Sequence, residues 1–545
     1  MKIKSILVSM LAMVALASCS NEDKGDVPSI GDYDAAYMSI RVITPTGTPT
    51  RGSNEQGAED YEKAISSMYA ITFDEAGKLV HHAKELPAQL LTGSTGSPDA
   101  IRVSANVKEI LLIANPGTEV LKVLNNAFAG QTFTNLNTAI ALAYTKNTAT
   151  KPEVLVNEIR KAEGDKNATV TYSNFTMINS NGLETIATIY KVGDTYKTEE
   201  AAKEAANNDS NRQTIKIERL TAKIVVKEGT TVAKPDGSSF ALFTDYWTLD
   251  VLNSTFFPYA EKTQLTDIPH LPSGGFYANA FYTKDPNYTG YTGLAYNNLV
   301  GATMAPNVTW MANAKADYCI ENTMEAPSQL FQNATRIILK ATYYPVSTWS
   351  GDWYRYAGTN YETLADLQAA YDKIKDATPA EVNNYAFKVA CENFFTVVKA
   401  KGIGITANDF AGLTQAMLDA STIVNGGEWV KDENGCIRWY QKGLNYYYYE
   451  IRHDNTNDAP MNFAKYGVVR NNQYSLTLTK VSGHGTPWYP SVNPDPNPTD
   501  PNYPDPKPDP DPEPKPTDPI DEATGYISFD VEVGPWVYWE TGMEI

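Results

Sequence analysis

Cysteine, histidine and positive charge are all scarce in this chain of 545 residues. Cys19, Cys319, Cys391 and Cys436 are too few and too far apart for a disulfide framework, and no pair has zinc-site spacing. One bridge between two of the last three is open, but stability must come mainly from an apolar core. The five histidines, His81, His82, His270, His453 and His484, have no cysteine or carboxylate at ligand spacing. With 45 basic against 64 acidic residues the net charge is −19, which argues against nucleic acid or anionic lipid headgroups as partners. Beyond the first twenty residues no run approaches the roughly 20 apolar residues of a membrane span. Phosphate-binding glycine loops, a nucleophile elbow and a zinc-protease helix are also missing, and no carboxylate pair stands out as acid and base. No catalytic residue, metal or cofactor is expected.

The chain opens with a targeting segment. Lys2 and Lys4 precede an apolar stretch from Ile6 to Ala17, and Leu16-Ala17-Ser18-Cys19 resembles the lipobox of bacterial lipoproteins, with Cys19 the lipidated residue. The acidic tether Ser20-Asn21-Glu22-Asp23 comes next. The expected product is an exported protein held to a membrane only through a transient lipid anchor.

Strand-like runs dominate the rest: Ser67 to Phe73, Ile101 to Ile113, Ile215 to Val226, Trp247 to Phe257, Arg336 to Tyr344, Tyr446 to Ile451 and Gln473 to Val481. Each is rich in β-branched or aromatic residues and bounded by Gly, Pro, Asn or Asp, the pattern of antiparallel sandwiches. Helical patterns over Glu119 to Ala129 and Pro152 to Ala162 read as elaborated loops. A larger helical block spans about 363–420, with Leu364, Leu367, Tyr371 and Ile374 on one face and a capping-box start at Thr378-Pro379-Ala380-Glu381. A third helix near Ala407 carries Leu413 and Met417. Strands flank the block, so it reads as an insertion, either a packed cap or a variable surface module. Tyr446 to Tyr449 fit a strand with aromatics on both faces, or a stacking platform for sugars.

From Pro490 to Pro519 almost every second residue is proline, which enforces polyproline II and forbids sheet pairing. Fully extended, at about 3.1 Å per residue, this spacer would reach on the order of 90 Å. Its stiffness and acidity are expected to disfavour folding back onto the parent and to deliver the C-terminal segment to a neighbour.

That C-terminal segment repeats an earlier strand. Tyr37-Met38-Ser39-Ile40-Arg41-Val42 reads against Tyr526-Ile527-Ser528-Phe529-Asp530-Val531, with Tyr, Ser and Val identical and the remaining apolar positions still apolar. In the later copy Ile527, Phe529, Val531 and Val533 share one face, and Gly534-Pro535 breaks the ladder before Trp536. Burying the four apolar side chains contributes roughly 6 to 12 kcal/mol, before tethering and ordering costs. The earlier copy leads into a polar loop, Thr44 to Asn54, whose single basic residue is Arg51, the kind of exposed tip that proteases cut. Cleavage between Arg51 and Gly52 would free the strand bearing Tyr37, Met38, Ile40 and Val42. A donor strand with Ile527, Phe529, Val531, Val533 and Trp536 could then fill its groove, the logic of strand-donating polymers.

These features resemble the fimbrillins of Bacteroidetes-type (type V) pili, most closely the major subunit of short fimbriae. The resemblance lies in the lipobox at Cys19, in Ala36-Tyr37-Met38-Ser39 with the Arg51-Gly52 loop, and in Ile217-Glu218-Arg219-Leu220-Thr221-Ala222-Lys223. It continues in Cys319-Ile320-Glu321-Asn322-Thr323, in Tyr466 to Tyr474, in the Asp-Pro spacer and in Val533-Gly534-Pro535-Trp536. It implies a mainly β chain of two transthyretin-like β-sandwich domains with helical insertions. The expected division is a signal peptide over 1–18, a propeptide over 19–51, domains over 52–228 and 229–489, a spacer over 490–520 and a donor strand over 521–545. The implied function is a structural pilin that polymerises by protease-gated donor-strand exchange into surface fimbriae supporting adhesion. Its implied partners are further copies of itself, anchor and tip fimbrial subunits, an arginine-specific protease, and host or bacterial receptors. A monomeric glycan-binding surface lipoprotein and a fimbrial tip subunit are the alternatives.

Overall fold

The computed structural model describes residues 35–43, 62, 65–80, 84–86, 95–96, 100–127, 131–147, 175–193, 195–210, 212–253, 256–264, 281–288, 299–300, 310–431, 436–454, 460–490, 519–522 and 526–535. Within them the chain is mainly β, as expected, and its strands stack as two sandwiches.

The first sandwich holds β1 (Ala35–Met38), β2 (Ile40–Ile43), β3 (Met68–Phe73), β4 (Ile101–Ser104), β5 (Glu109–Ala114), β6 (Met177–Asn179), β7 (Tyr190–Lys191) and β8 (Gln213–Arg219). One sheet runs β7-β1-β4; the other runs β3-β5-β6-β8-β2 and is extended by short pairings at Lys84–Glu85 and Thr95–Gly96. Met38, Ile101 and Val103 from the first face Ile40, Val42, Met68, Leu112 and Ile215 from the second. Alternation explains how β3 and β5 are buried on both faces. Met68 and Ala70 enter this core, while Ile71 and Phe73 turn outward beneath helices α1 (Thr118–Asn125) and α2 (Phe133–Asn147). A third helix, α3 (Glu199–Asn207), lies over the outer face of β1 and buries Ala202 and Ala206 against Tyr37.

The second sandwich holds β9 (Thr221–Ala233), β10 (Ser239–Asp250), β11 (Ala316–Ile320), β12 (Arg336–Tyr344), β13 (Trp353–Tyr356), β14 (Thr359–Tyr361), β15 (Arg438–Tyr440), β16 (Leu444–Glu450), β17 (Asn472–Val481) and β18 (Ile527–Pro535). Sheet β11-β9-β17-β18 packs on a sheet containing β10-β12-β16, around Ile224, Trp247, Leu339, Tyr447 and Leu476. A small sheet, β14-β13-β15, carries helices α4 (Leu364–Asp372), α5 (Val382–Lys401) and α6 (Gln415–Ala420) on Tyr354 and Trp439.

Several boundaries differ from the expected ones. The run Ile215 to Val226 is two strands, β8 in the first sandwich and β9 in the second, so the changeover falls at Leu220 and not after residue 228. The apolar pattern continues across it because only the hydrogen-bond partners change. Ile101 to Ile113 is likewise split, by a turn at Ala105-Asn106. Thr378 donates its N–H to the Glu381 carboxylate, but α5 starts at Val382; the capping box that forms is Thr363 with Asp366, at the start of α4. Leu413 precedes α6 and does not lie within it. The helical block packs as a cap with its own apolar core. Tyr446 and Tyr447 are 2% exposed, Tyr448 is 9% exposed, and the half-buried Tyr449 packs on Phe529, so the four tyrosines do not form an open row for sugar stacking.

Candidate functional site: two strand seats

The first strand has partners on both edges and buries its core-facing side chains. β1 is the middle strand of its sheet, with Tyr37 opposite both Arg102 of β4 and Tyr190 of β7. At Ser39 the chain crosses to the facing sheet, where β2 runs parallel to β8, from Ile40 opposite Gln213 to Ile43 opposite Lys216. Its other edge pairs with Thr95–Gly96. Ala36, Met38 and Ile40 are fully buried, Val42 nearly so, and Arg41 points to solvent. Withdrawing 35–43 would strip ladder partners from both sheets and open an apolar trough between them, a state costly enough to require a replacement strand.

The outward side chains of this segment meet α3. Thr198 caps that helix by accepting the Ala201 N–H at 3.2 Å, which presents Glu199 in the first turn. The Tyr37 hydroxyl donates to Glu199 Oε2 at 2.8 Å, and Arg102 reaches the same carboxylate through Nη2 at 3.0 Å and Nε at 3.3 Å. Arg102, and then Tyr37, hold the Glu199 carboxyl below its ordinary range, while burial and then Glu199 push the Tyr37 hydroxyl up. The Ser39 hydroxyl donates to the carbonyl of Ala206 at the far end of α3.

Among the described residues the second copy of the strand, β18, pairs with β17. It runs antiparallel to β17 from Val481 opposite Ile527 to Asn472 opposite Pro535, at the edge of its sheet. Ile527 and Phe529 enter the core, with the Phe529 ring 4.8 Å from that of Tyr449, and Val531 and Val533 are half-buried at its margin. Ser528, Asp530 and Glu532 face solvent. Tyr526 stacks on His484 with ring centroids 5.6 Å apart.

This fold-back is a correction to the expected behaviour of the spacer. Both its ends are pinned to the second sandwich: the Pro490 carbonyl accepts from Arg336 Nη2 at 3.4 Å, and Pro519 bridges Leu330. Just beyond, Ile520 donates its N–H to Gln329 at 3.1 Å, and Asp521 pairs with Lys465 at 2.8 Å and accepts from Tyr466 at 2.8 Å. Stiffness limits the route between the two ends, but these anchors fix where the chain re-enters, beside β17.

A third feature escaped the sequence. The motif residues around 217–223, 319–323 and 466–474 converge on a buried polar joint between the sandwiches. Arg470 pairs with Glu321, through Nε to Oε2 at 2.9 Å and through Nη2 to Oε1, and also donates to the carbonyls of Phe257 and Pro258. Lys262 bonds Glu218 at 2.6 Å. Glu62 takes Lys223 at 2.8 Å and the Tyr318 hydroxyl at 2.7 Å, while its carbonyl takes Arg219 at 2.8 Å. Burial pulls the Arg219 guanidinium down to about 10 and pushes the Glu218 carboxyl up. The available signal was charge inside strand runs, as with Arg219 between Ile217 and Leu220.

Tyr37, Met38, Ile40 and Val42 thus lie together in one seat and Ile527, Phe529, Val531 and Val533 in another. Cys19, Arg51, Gly52 and Trp536 lie outside the described residues. Among the described residues no group of three or more His, Cys, Asp or Glu is placed to hold a metal ion, and no helix is long and apolar enough to cross a membrane. Cys319 and Cys391 are buried and Cys436 is half-buried.

Residues 438–541, which include β17 and β18, match the family described as "Major fimbrial subunit protein type IV, Fimbrillin, C-terminal". No curated protein sequence matches the chain. Among solved structures, a fimbrilin (fimA) from Porphyromonas gingivalis W83 aligns at 12% identity and a TM-score of 0.35, over 92% of this chain and 98% of that one. The tip fimbrial protein Mfa3 from Porphyromonas gingivalis aligns at 10% and 0.31, over 92% and 100%. A fimbrial assembly protein from Parabacteroides distasonis aligns at 16% and 0.26, over 57% and 83%. Likeness at that level does not carry function from one chain to another. The match that includes the second strand seat is thus to the C-terminal region of a major fimbrial subunit, a structural class of protein, and over residues 438–541 this chain is similar to it.

Proposed function

We propose that the chain is a shaft subunit that polymerises by protease-gated strand exchange. The precursor is exported as an outer-membrane lipoprotein acylated at Cys19. An arginine-specific protease cuts between Arg51 and Gly52, and the segment carrying Tyr37, Met38, Ile40 and Val42 leaves. The tail of a second copy, led by Ile527, Phe529, Val531 and Val533 with Trp536 beyond, then enters the vacated trough. Such a contact is heterologous and open, so it extends a filament and does not close a dimer. Anchor and tip subunits end the filament, and adhesion to host or bacterial receptors is a property of the fibre.

The observation that carries this reading is phase. When the two copies are aligned on their shared Tyr, Ser and Val, the residues facing the core in the first seat, Met38, Ile40 and Val42, correspond to Ile527, Phe529 and Val531. The last three face the core in the second seat. A strand one residue out of phase would present its charged face. Intact mass of subunits sheared from the cell surface tests the gate: a chain starting at Gly52 is expected, and one starting at acylated Cys19 overturns it.

A further inference from the structure

Apolar alternation alone leaves the incoming strand free to slip by two residues, because Ile527, Phe529, Val531 and Val533 form an unbroken row on one face. The first seat contains a device that removes this freedom. Its two polar contacts come from Tyr37, bonded to Glu199 under the grip of Arg102, and from Ser39, bonded to the Ala206 carbonyl. Two of the three identities between the copies are the residues that make these contacts.

We propose that the tail of a second copy seats in a single register, with the Tyr526 hydroxyl on Glu199 and the Ser528 hydroxyl on the Ala206 carbonyl, so that α3 and Arg102 select the incoming strand. This rests on the exchange reading above. In that register Tyr526 lies opposite Arg102, Phe529 replaces Ile40 opposite Gln213, and Glu532 replaces Ile43 opposite Lys216. Slipping the tail forward by two would put Asp530 where Ser39 sits, 5% exposed, with its carboxylate against a carbonyl oxygen. Slipping it back by two would force the Tyr526 ring into the space of a serine. Either slip also takes the tyrosine away from Glu199. Phe529 brings the largest gain in side-chain volume and enters a trough already relaxed by loss of the first strand.

The test is a double-variant cycle in fibres of the full, processed chain, read as the rate at which subunits leave the fibre in denaturant. Tyr526→Phe keeps the ring that stacks on His484 in the folded-back tail and removes only the hydroxyl. With Glu199 half exposed, Y526F and E199Q are each expected to speed loss by about threefold to tenfold, and the pair together no more than either alone. Effects that multiply, or none at all, overturn the register while leaving strand exchange standing. Fibres from a chain lacking residues 521–545 overturn the exchange itself, and the register with it. Should E199Q lower the yield of folded precursor, E199D, which keeps a carboxylate beside Arg102 but draws it back from the tyrosine hydroxyl, gives the cycle with Y526F.

Discussion

The two copies of one strand sit in unlike places. The first is central: it has partners on both edges in both sheets, a core on one face, and α3 over Tyr37 and Ser39 on the other. The second, among the described residues, lies at the end of its sheet beside β17, and its last two apolar residues are only half-buried. A strand that must be removed by cutting the chain can be central, because cleavage supplies the irreversibility. One that must leave by itself has to be peripheral. On the proposed exchange the unequal seats would fit unequal tasks, one copy completing a precursor fold and the other held at a shallow site until a deeper one opens.

The widest separation between them should come from deletion. Removing 35–43 from the precursor takes out Met38, Ile40 and Val42, worth roughly 1.5 to 3 kcal/mol each, together with two sets of ladder bonds. The first sandwich should then fail to fold, read as loss of its share of the thermal unfolding transition. Removing 526–535 should leave both sandwiches folded and only stop fibre growth. Equal damage from the two deletions would erase the distinction between a central and a peripheral seat.

Next in size is the joint that couples the regions bearing the two seats. Glu321→Gln leaves Arg470 buried with only carbonyl acceptors and should cost about 3 to 5 kcal/mol in urea unfolding. Because the joint lies apart from both strand seats, the loss should be the same in the precursor and in fibre-derived subunits that start at Gly52 and carry a donated strand. A larger loss in one of them would mean that strand occupancy is transmitted through Arg470.

A smaller effect should come from pH, and at the first seat alone. Arg102 and Tyr37 lower the Glu199 carboxyl in the folded state from its ordinary 4.5. The resulting stabilisation is present above that ordinary value and is lost as pH falls through the lowered one. Unfolding of the precursor measured from pH 6 down to pH 3 should show this loss, and E199Q should remove that part of the slope. Asp530 and Glu532 of β18 face solvent and do not sit in a hydrogen-bonded grip like that of Arg102 and Tyr37 on Glu199, so detachment of the tail should not follow the same curve.

How much of this was legible in sequence differs by region. Arg336 to Tyr344 was read to the residue, because a half-buried central strand announces itself by alternation and β-branching. The pairing of the two copies was visible for the same reason, and so was their common phase. The changeover at Leu220 was hidden, since a strand that passes from one sheet to another keeps its period while changing partners. The fold-back of the tail depends on Ile520 and Asp521, just past the proline-rich spacer, whose partners Gln329 and Lys465 are far away in the chain. The joint was invisible as a unit because Glu62, Arg219, Glu321 and Arg470 are widely separated along the chain. The register latch needed both kinds of information: the repeated Tyr and Ser were in the sequence, and Glu199 opposite them was not.

The smallest expected effect concerns charge on the outward face, where the two copies disagree most. Arg41 in the first copy becomes Asp530 in the second, and Ile43 gives way to Glu532. Beside them runs β8, with Lys216 across from the position of Ile43. The first copy thus places a cation near a cation, and a donated strand in the proposed register would place two anions there. All of these groups are wet, so the preference is modest and screened by salt. Asp530→Asn with Glu532→Gln should slow fibre assembly by about twofold at low ionic strength, with the difference vanishing near 1 M salt. A difference that survives high salt would instead place these carboxylates in a dry contact, and the donated strand would then be seated more deeply than the strand it replaces.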